Sequence, residues 1–322
     1  MPKRPIKPTR HKADNLRGLK RVKAASRDSL VDIERFAKPL SSVDGVAEFL
    51  DSLPGFLKAN DWRALLDAIA RARENDKPIF WMLGAHVLKC GLSPLLIDLM
   101  DDGLVDLIAF NGAGAVHDLE IAFLGCTSED VAAGLQDGSF GMAEDTAKWF
   151  AGSVQTATKA KVGLGEGVGR YTILKNPPHA IHSVSAHAVR NGIPILVFPA
   201  IGAEIVAQHP EYDGAAVGKT GHHDFKVLAE QCKSLHQGGV VLHFGSAVIL
   251  PEVFLKALTV ARNRTKVEDF VTANFDMIQH YRPNTNVVNR PTMNSGKGYT
   301  FTGHHELMLP LLAWSIKSRL GL

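Results

Sequence analysis

Two short segments of the chain set a pair of histidines beside a carboxylate: Gly221-His222-His223-Asp224 and Gly303-His304-His305-Glu306. Two imidazoles and an acid are the donor types that hold a divalent cation, so a metal-dependent hydrolase is one reading of the sequence. Against it, adjacent histidines in a strand-to-helix turn point in different directions, and no HExxH-type spacing brings two of them onto one helical face. Asp224 and Glu306 also suit helix N-termini, where the macrodipole favours negative charge. No metal is expected on these grounds. A third segment, "IAFNGAGAVHDL" (residues 108–119), asks a different question. An apolar run thins to glycine and alanine and then resumes with His117 and Asp118 on a helical pattern, as though something must approach the bare backbone.

The surrounding pattern supplies a frame for these residues. Apolar runs at 77–88, 104–110, 193–202, 239–245 and 267–276 read as buried strands, and amphipathic runs between them read as helices. Residues 43–75 are helical in pattern, and a closing helix covers 306–321. This alternation predicts an α/β fold, a doubly wound, mostly parallel Rossmann-like sheet with helices on both faces and a helical N-terminal region. Each strand ends in small or polar residues: Gly84-Ala85-His86, Asn111-Gly112-Ala113-Gly114, Ala200-Ile201-Gly202, Gly245-Ser246-Ala247 and Thr272-Ala273-Asn274-Phe275-Asp276. Ligands of such sheets bind beyond the carboxyl ends of the strands. The five ends together point to a phosphorylated or dinucleotide ligand at helix N-termini. The run "GLGEGVG" (163–169) lacks a clear preceding strand and is taken as part of a flexible loop over 163–178.

Composition bounds the rest. Apolar residues are 45% and charged residues 21% of the 322, as in an ordinary globular protein, and no apolar run reaches the ~18 residues of a membrane span. Cys90, Cys126 and Cys232 are too scattered for a disulfide framework or a zinc ligand set, which fits a reducing cytoplasm. The net charge of +3 is uneven. Residues 1–25 carry nine Lys/Arg against Asp14, leaving 27 bases and 32 acids elsewhere, a body of net −5. Residues 1–25 are therefore expected to be a basic flexible arm and 26–322 a single domain. No aromatic residues interleave with the arm's charges, so nucleic acid is not the expected partner.

Taken in order, these motifs resemble the deoxyhypusine synthase family from about residue 60 onward. The family's Thr-Ser-Asn-Leu-Ile-Ser-Ser-Gly is similar in place to Gly84-Ala85-His86-Val87-Leu88-Lys89-Cys90-Gly91, and its Thr-Ala-Gly-Gly-Val-Glu-Glu to Ala113-Gly114-Ala115-Val116-His117-Asp118. Its Pro-Ala-Leu-Thr-Asp resembles Pro199-Ala200-Ile201-Gly202-Ala203, with Glu204 next, and Gly245-Ser246-Ala247 matches a Gly-rich segment. Its Thr-Ala-Gln-Glu-Phe-Asp resembles Thr272-Ala273-Asn274-Phe275-Asp276 with one residue missing, and its Gly-Asp-Ala-Thr-Ile-Val-Phe-Pro-Leu-Leu resembles Gly303-His304-His305-Glu306 through Leu312.

The resemblance implies a tetrameric, NAD-dependent enzyme. NAD takes hydride from a polyamine such as spermidine, and the aminobutyl group passes to an acceptor amine. It implies a cofactor held by Ala85, His86, Ala113, Gly114, Gly245, Ser246, Thr272, Ala273, Asp276, His304 and His305, with His117, Asp118 and Glu252 as polar groups near the chemistry. The chain departs from the family at the amine half of the site. The Trp-Gly-Lys segment is absent. Arg290 and Pro291 fall near the position of the family's lysine, and Lys297 a few residues on is the stand-in. An arginine cannot form the imine, because it stays protonated. A non-catalytic NAD-binding protein on the same fold is the remaining alternative.

Overall fold

The computed structural model describes residues 45–322, so the basic arm at 1–25 lies outside the described residues. Two helices open this region, α1 (Val46–Ser52) and α2 (Leu57–Glu74). Six strands follow: β1 (Ile79–Leu83), β2 (Leu107–Asn111), β3 (Ile195–Phe198), β4 (Val240–Phe244), β5 (Val271–Asp276) and β6 (Lys297–Thr302). They form one all-parallel sheet in the order β3-β2-β1-β4-β5-β6. The expected doubly wound α/β fold is the observed one.

The strands are apolar along their whole length because helices cover both faces. All five residues of β1, "IFWML", are buried. Trp81, Leu83, Leu242, Phe244, Ala273 and Phe275 face one core, and Phe80, Met82 and Val241 face the other. Near the carboxyl edge, three phenylalanines sit in register on β4, β5 and β6. Phe244 and Phe275 stack with centroids 4.4 Å apart, and Phe275 and Phe301 at 4.9 Å. This ladder stiffens the part of the sheet just below the strand ends.

After β1 come the single turn α3 (His86–Lys89) and α4 (Ser93–Asp101), and after β2 the helix α5 (Gly112–Leu124). Asn111 starts α5 by accepting the Gly114 N–H at 3.1 Å, and Gly125 ends it in the left-handed region. The long insertion before β3 contains α6 (Val131–Asp137), α7 (Glu144–Ala160), α8 (Leu164–Lys175) and α9 (Val184–Arg190). Then α10 (Gly214–Gln231) precedes β4 and α11 (Ile249–Arg264) follows it. The short α12 (Tyr281–Pro283), a π-helical segment at Asn284–Asn289 and α13 (Arg290–Thr292) lead to β6, and α14 (His305–Leu320) closes the chain.

Two sequence expectations fail here for packing reasons, and one strand is unforeseen. The "GLGEGVG" segment is not a loop but the start of α8. A Cβ on Gly165 would lie 2.2 Å from the Ile195 carbonyl oxygen, and one on Gly167 would lie 2.5 Å from the Ala157 Cβ. A Cβ on Gly169 would lie 2.4 Å from the Ser185 carbonyl oxygen. The three glycines let the helix press against β3, α7 and α9. Gly221-His222-His223-Asp224 is not a turn either, since it lies inside α10. Finally, "KGYTFT" is the edge strand β6, in which only Tyr299 and Phe301 are buried. Its mixed pattern hid it.

Candidate functional site

In a sheet of this order the topological switch lies between β1 and β4, and ligands of such folds bind outside the carboxyl ends of the strands. The backbones meet closely there. Gly84 N–H donates to the Phe244 carbonyl at 2.7 Å, and a Cβ on Gly84 would lie 2.3 Å from the Gly245 carbonyl oxygen. Gly245 has φ +63, and a Cβ on it would lie 2.3 Å from His305 Nε2. Likewise a Cβ on Gly112 would meet Glu204 Oε1 at 2.2 Å, and one on Gly114 the Phe110 ring. The small residues at these strand ends therefore admit the protein's own atoms first. Close chain packing accounts for much of a pattern that the sequence suggested was reserved for phosphate.

A cavity lies at this edge beside α3, which touches both α5 and α14. It holds about 180 Å³, and its wall includes Lys89, Ala113, His117, Glu120, Glu129 and Glu204. Glu204 is 9% exposed; its Oε1 accepts the Ala200 N–H at 2.7 Å, while Oε2 has no partner. Burial pushes the Glu204 carboxyl above the usual range. Glu120 accepts from the Thr146 hydroxyl at 2.9 Å and the Thr127 hydroxyl at 2.5 Å. Burial pushes its carboxyl up, but the nearby His117 ring and the hydrogen bonds from Thr127 and Thr146 outweigh that and hold its pKa below the usual range. The Thr127 oxygen lies 2.6 Å from His117 Nδ1. Since the Thr127 proton goes to Glu120, the His117 Nδ1 carries the hydrogen, and Nε2 of the neutral ring is left as an acceptor.

A group of side chains gathers by the ends of β1 and β5 and the start of α14: His86, Cys90, His304, His305, Glu306 and Asp276. The His305 and His86 rings are 5.8 Å apart, and the His305 and Phe244 rings 6.0 Å. His305 is 1% exposed with Nδ1 unpartnered. Burial lowers its pKa, against the pull of Asp276. His304 Nδ1 stands 3.7 Å from Glu306 Oε1.

Several expected site residues stand elsewhere. Asp118 is fully buried and caps α9, accepting from Ser183 Oγ and Val184 N–H at 2.8 Å each and Ser185 N–H at 3.2 Å. It faces no cavity. Thr272 and Ala273 are fully buried within β5, before its carboxyl end. Lys297 is the first residue of β6, opposite Val271, and so lies at the amino edge of the sheet. Ser246 is at the carboxyl edge, but its Oγ accepts the Leu250 N–H at 3.2 Å and helps start α11. Glu252 is in the first turn of α11, held by Lys256, by Arg282 at 3.3 Å and by Asn286 at 2.8 Å. Ala85, His86, Ala113, Gly114, Gly245, Asp276, His304 and His305 do lie at the carboxyl edge. The sequence did not single out Glu120, Glu129 or Cys90 for the site. Glu120 was findable, three residues after His117 on the same helical face.

No family model matches the chain, and no curated protein matches it in sequence. Solved structures share its fold. A protein of Methanococcus maripaludis S2 assigned to the LOR/SDH group aligns with 94% of this chain and 76% of its own, at 13% identity and a TM-score of 0.50. AgrE, solved with ornithine and NAD+, aligns with 80% of this chain at 15% identity and a TM-score of 0.49. A protein of Entamoeba histolytica assigned as a deoxyhypusine synthase aligns with 88% of this chain and 95% of its own, at 12% identity and a TM-score of 0.49. The chain spans about a third of the length of AgrE, 32%. At 13% identity the likeness to the Methanococcus protein shows the fold alone, the open, all-parallel Rossmann-like sheet described above. Among the described residues no helix is long and apolar enough to cross a membrane.

Proposed function

We propose that the chain is an NAD-dependent enzyme that oxidises a small amine or polyamine and passes the resulting aminobutyl group to an acceptor amine. The observation that carries this reading is the unpartnered Glu204 oxygen, buried in the cavity beyond β2 and β3 beside the His117–Thr127–Glu120 chain. A buried carboxylate oxygen without a donor costs on the order of 1–3 kcal/mol until something donates to it. In doubly wound folds a carboxylate at this edge binds a ribose hydroxyl, so the donor set fits the cofactor. Glu204 and the Ala113 backbone would hold the ribose, with Ala85, His86 and Gly245 along the edge toward Asp276. When bound, NAD supplies the hydride acceptor.

The chain's own groups do the rest. An alkylammonium must lose a proton before its carbon can give up hydride, and on this reading His117 Nε2 takes it. Thr127 and Glu120 hold the ring in the required tautomer and steady the imidazolium that forms. Glu129 and Glu120 on the same wall attract a cationic substrate. The acceptor nitrogen attacks the iminium carbon and the original amine leaves, which gives a new imine; return of the hydride from the reduced cofactor would convert it to the secondary amine and complete the transfer. The ordered motif resemblance supports the same chemistry and a homotetrameric assembly, and the scattered cysteines suit a cytoplasmic setting.

The test is a calorimetric titration of the metal-free protein with NAD, with and without spermidine, followed by NADH formation. Micromolar NAD binding, weakened about tenfold or more by Glu204→Ala, supports the cofactor site, and NADH formation lost in His117→Ala supports the amine oxidation. Absence of NAD binding overturns the reading. Binding without NADH formation from any amine reduces it to a non-catalytic NAD-binding protein.

A further inference from the structure

We propose that His86, Cys90 and Glu306 form a binding site for a zinc-class divalent cation at the carboxyl edge of β1. Among the described residues, one ligand atom from each of the three lies within 4.8 Å of the other two. The local structure explains the first pair. The Cys90 N–H donates to the His86 carbonyl at 3.0 Å, closing one α-helical turn, so the imidazole and the thiol sit four residues apart on the same side of α3. The third comes from the first turn of α14, which packs against α3.

Cys90 Sγ and Glu306 Oε2 are 3.7 Å apart. Two such atoms bonded to one tetrahedral zinc stand about 3.5 Å apart, so this pair is already near its ligating separation. The His86 ring closes the set by a side-chain rotation. The chemistry of the donors decides the class of ion. A thiolate, an imidazole and a carboxylate favour zinc or cobalt over magnesium or calcium, which take oxygen shells. Three protein ligands leave a fourth position open, as in zinc sites that bind a water or a substrate atom.

A second observation points the same way. His305 is 99% buried beside His86, and its Nδ1 has no partner in the protein. A water on the ion's fourth position would satisfy such a nitrogen, as outer hydrogen bonds do at other zinc centres. The other histidine-rich segment carries no such site: both Asp224 oxygens are committed, Oδ2 to the N–H groups of Gly165 and Val197 at 2.9 Å each, and Oδ1 pressed toward Gly163. The metal site shares His86 with the proposed cofactor edge but does not rest on that reading, since its test follows cobalt and the Cys90 thiolate, not NAD.

The test uses the full-length, metal-free chain and cobalt(II) as the probe. The expected result is one equivalent of cobalt, marked by a thiolate-to-cobalt charge-transfer band in the near ultraviolet and displaced by zinc. Cys90→Ser abolishes the band, and Cys126→Ser leaves it unchanged. His86→Ala and Glu306→Gln each weaken cobalt binding by about 10–100-fold, with far-ultraviolet circular dichroism as the check on folding. No band in the wild-type protein, or a band that survives Cys90→Ser, overturns the proposal.

Discussion

His243 Nδ1 lies 2.6 Å from Asn274 Oδ1 across the directly paired strands β4 and β5, and neither residue has any exposure. Asn274 Nδ2 donates in turn to Gln279 Oε1 at 2.7 Å, and Gln279 Nε2 to the Phe301 carbonyl at 3.0 Å. This orients the asparagine oxygen toward the ring, so Nδ1 carries the hydrogen, and Nε2 is left unpartnered. Burial drives the imidazole pKa down to about 4, against the Asn274 hydrogen bond and the Asp276 charge.

That low value has a signed consequence for stability. Between the ordinary histidine value and about 4, the unfolded chain binds a proton at His243 that the folded chain refuses. The contribution is intact above the ordinary value and is lost as pH falls through this window, by roughly 3 kcal/mol in all. Denaturant midpoints of the wild type and of His243→Gln, compared across the window, should diverge with acidification in favour of the variant. A constant difference between the two would remove the histidine from the explanation.

Asp224 acts in the opposite direction. Its carboxyl is 1% exposed, and burial raises its pKa to about 7 despite hydrogen bonds from Val197 and Gly165. Between about 7 and the ordinary carboxylate value the folded chain holds a proton that the unfolded chain releases. Lowering the pH through this window therefore stabilises the fold, by roughly 4 kcal/mol in all. Asp224→Asn removes this gain. The difference in stability between wild type and variant should move in favour of wild type as pH drops below 7, in the same denaturant titrations.

Asp118 is expected to matter for stability rather than for chemistry. Asp118→Ala leaves the Ser183 hydroxyl and two buried N–H groups at the start of α9 without their acceptor, a loss of about 3–5 kcal/mol. The fraction that remains folded should bind NAD as the wild type does. Thermal unfolding and calorimetry on the same preparation separate the two effects.

Lys297 should be silent. It is exposed at the amino edge of β6, and Lys297→Ala is expected to change stability by no more than about 0.5 kcal/mol. If the proposed oxidation proceeds, borohydride reduction during turnover followed by peptide mapping should find no amine adduct at this position. An adduct there would restore it as the imine-forming residue.

The strand–helix alternation was legible in the chain because each buried parallel strand is a short apolar run, as in "IFWML" and "VVLHF", and each helix carries a periodic face. The edge strand "KGYTFT" escaped notice because one side of it is exposed and its apolar residues are few. The candidate site was legible in part. Small residues at strand ends marked the right edge of the sheet, but the sequence could not say whether a ligand or the protein itself would fill the space above them.

Local order determined most of the elements, since hydrogen bonding within a turn and the apolar run of a buried strand depend on residues a few positions apart. Tertiary structure decided the rest. It turned "GLGEGVG" into a helix whose glycines meet β3, α7 and α9. It made Asp118 a cap for Ser183, 65 residues away, and brought Glu306 to Cys90 across 216 residues. Spacing along a chain reports which side chains share a turn or a face. Which distant faces meet is settled only when the sheet closes and the helices pack, because that contact energy belongs to the assembled core and to no segment of it.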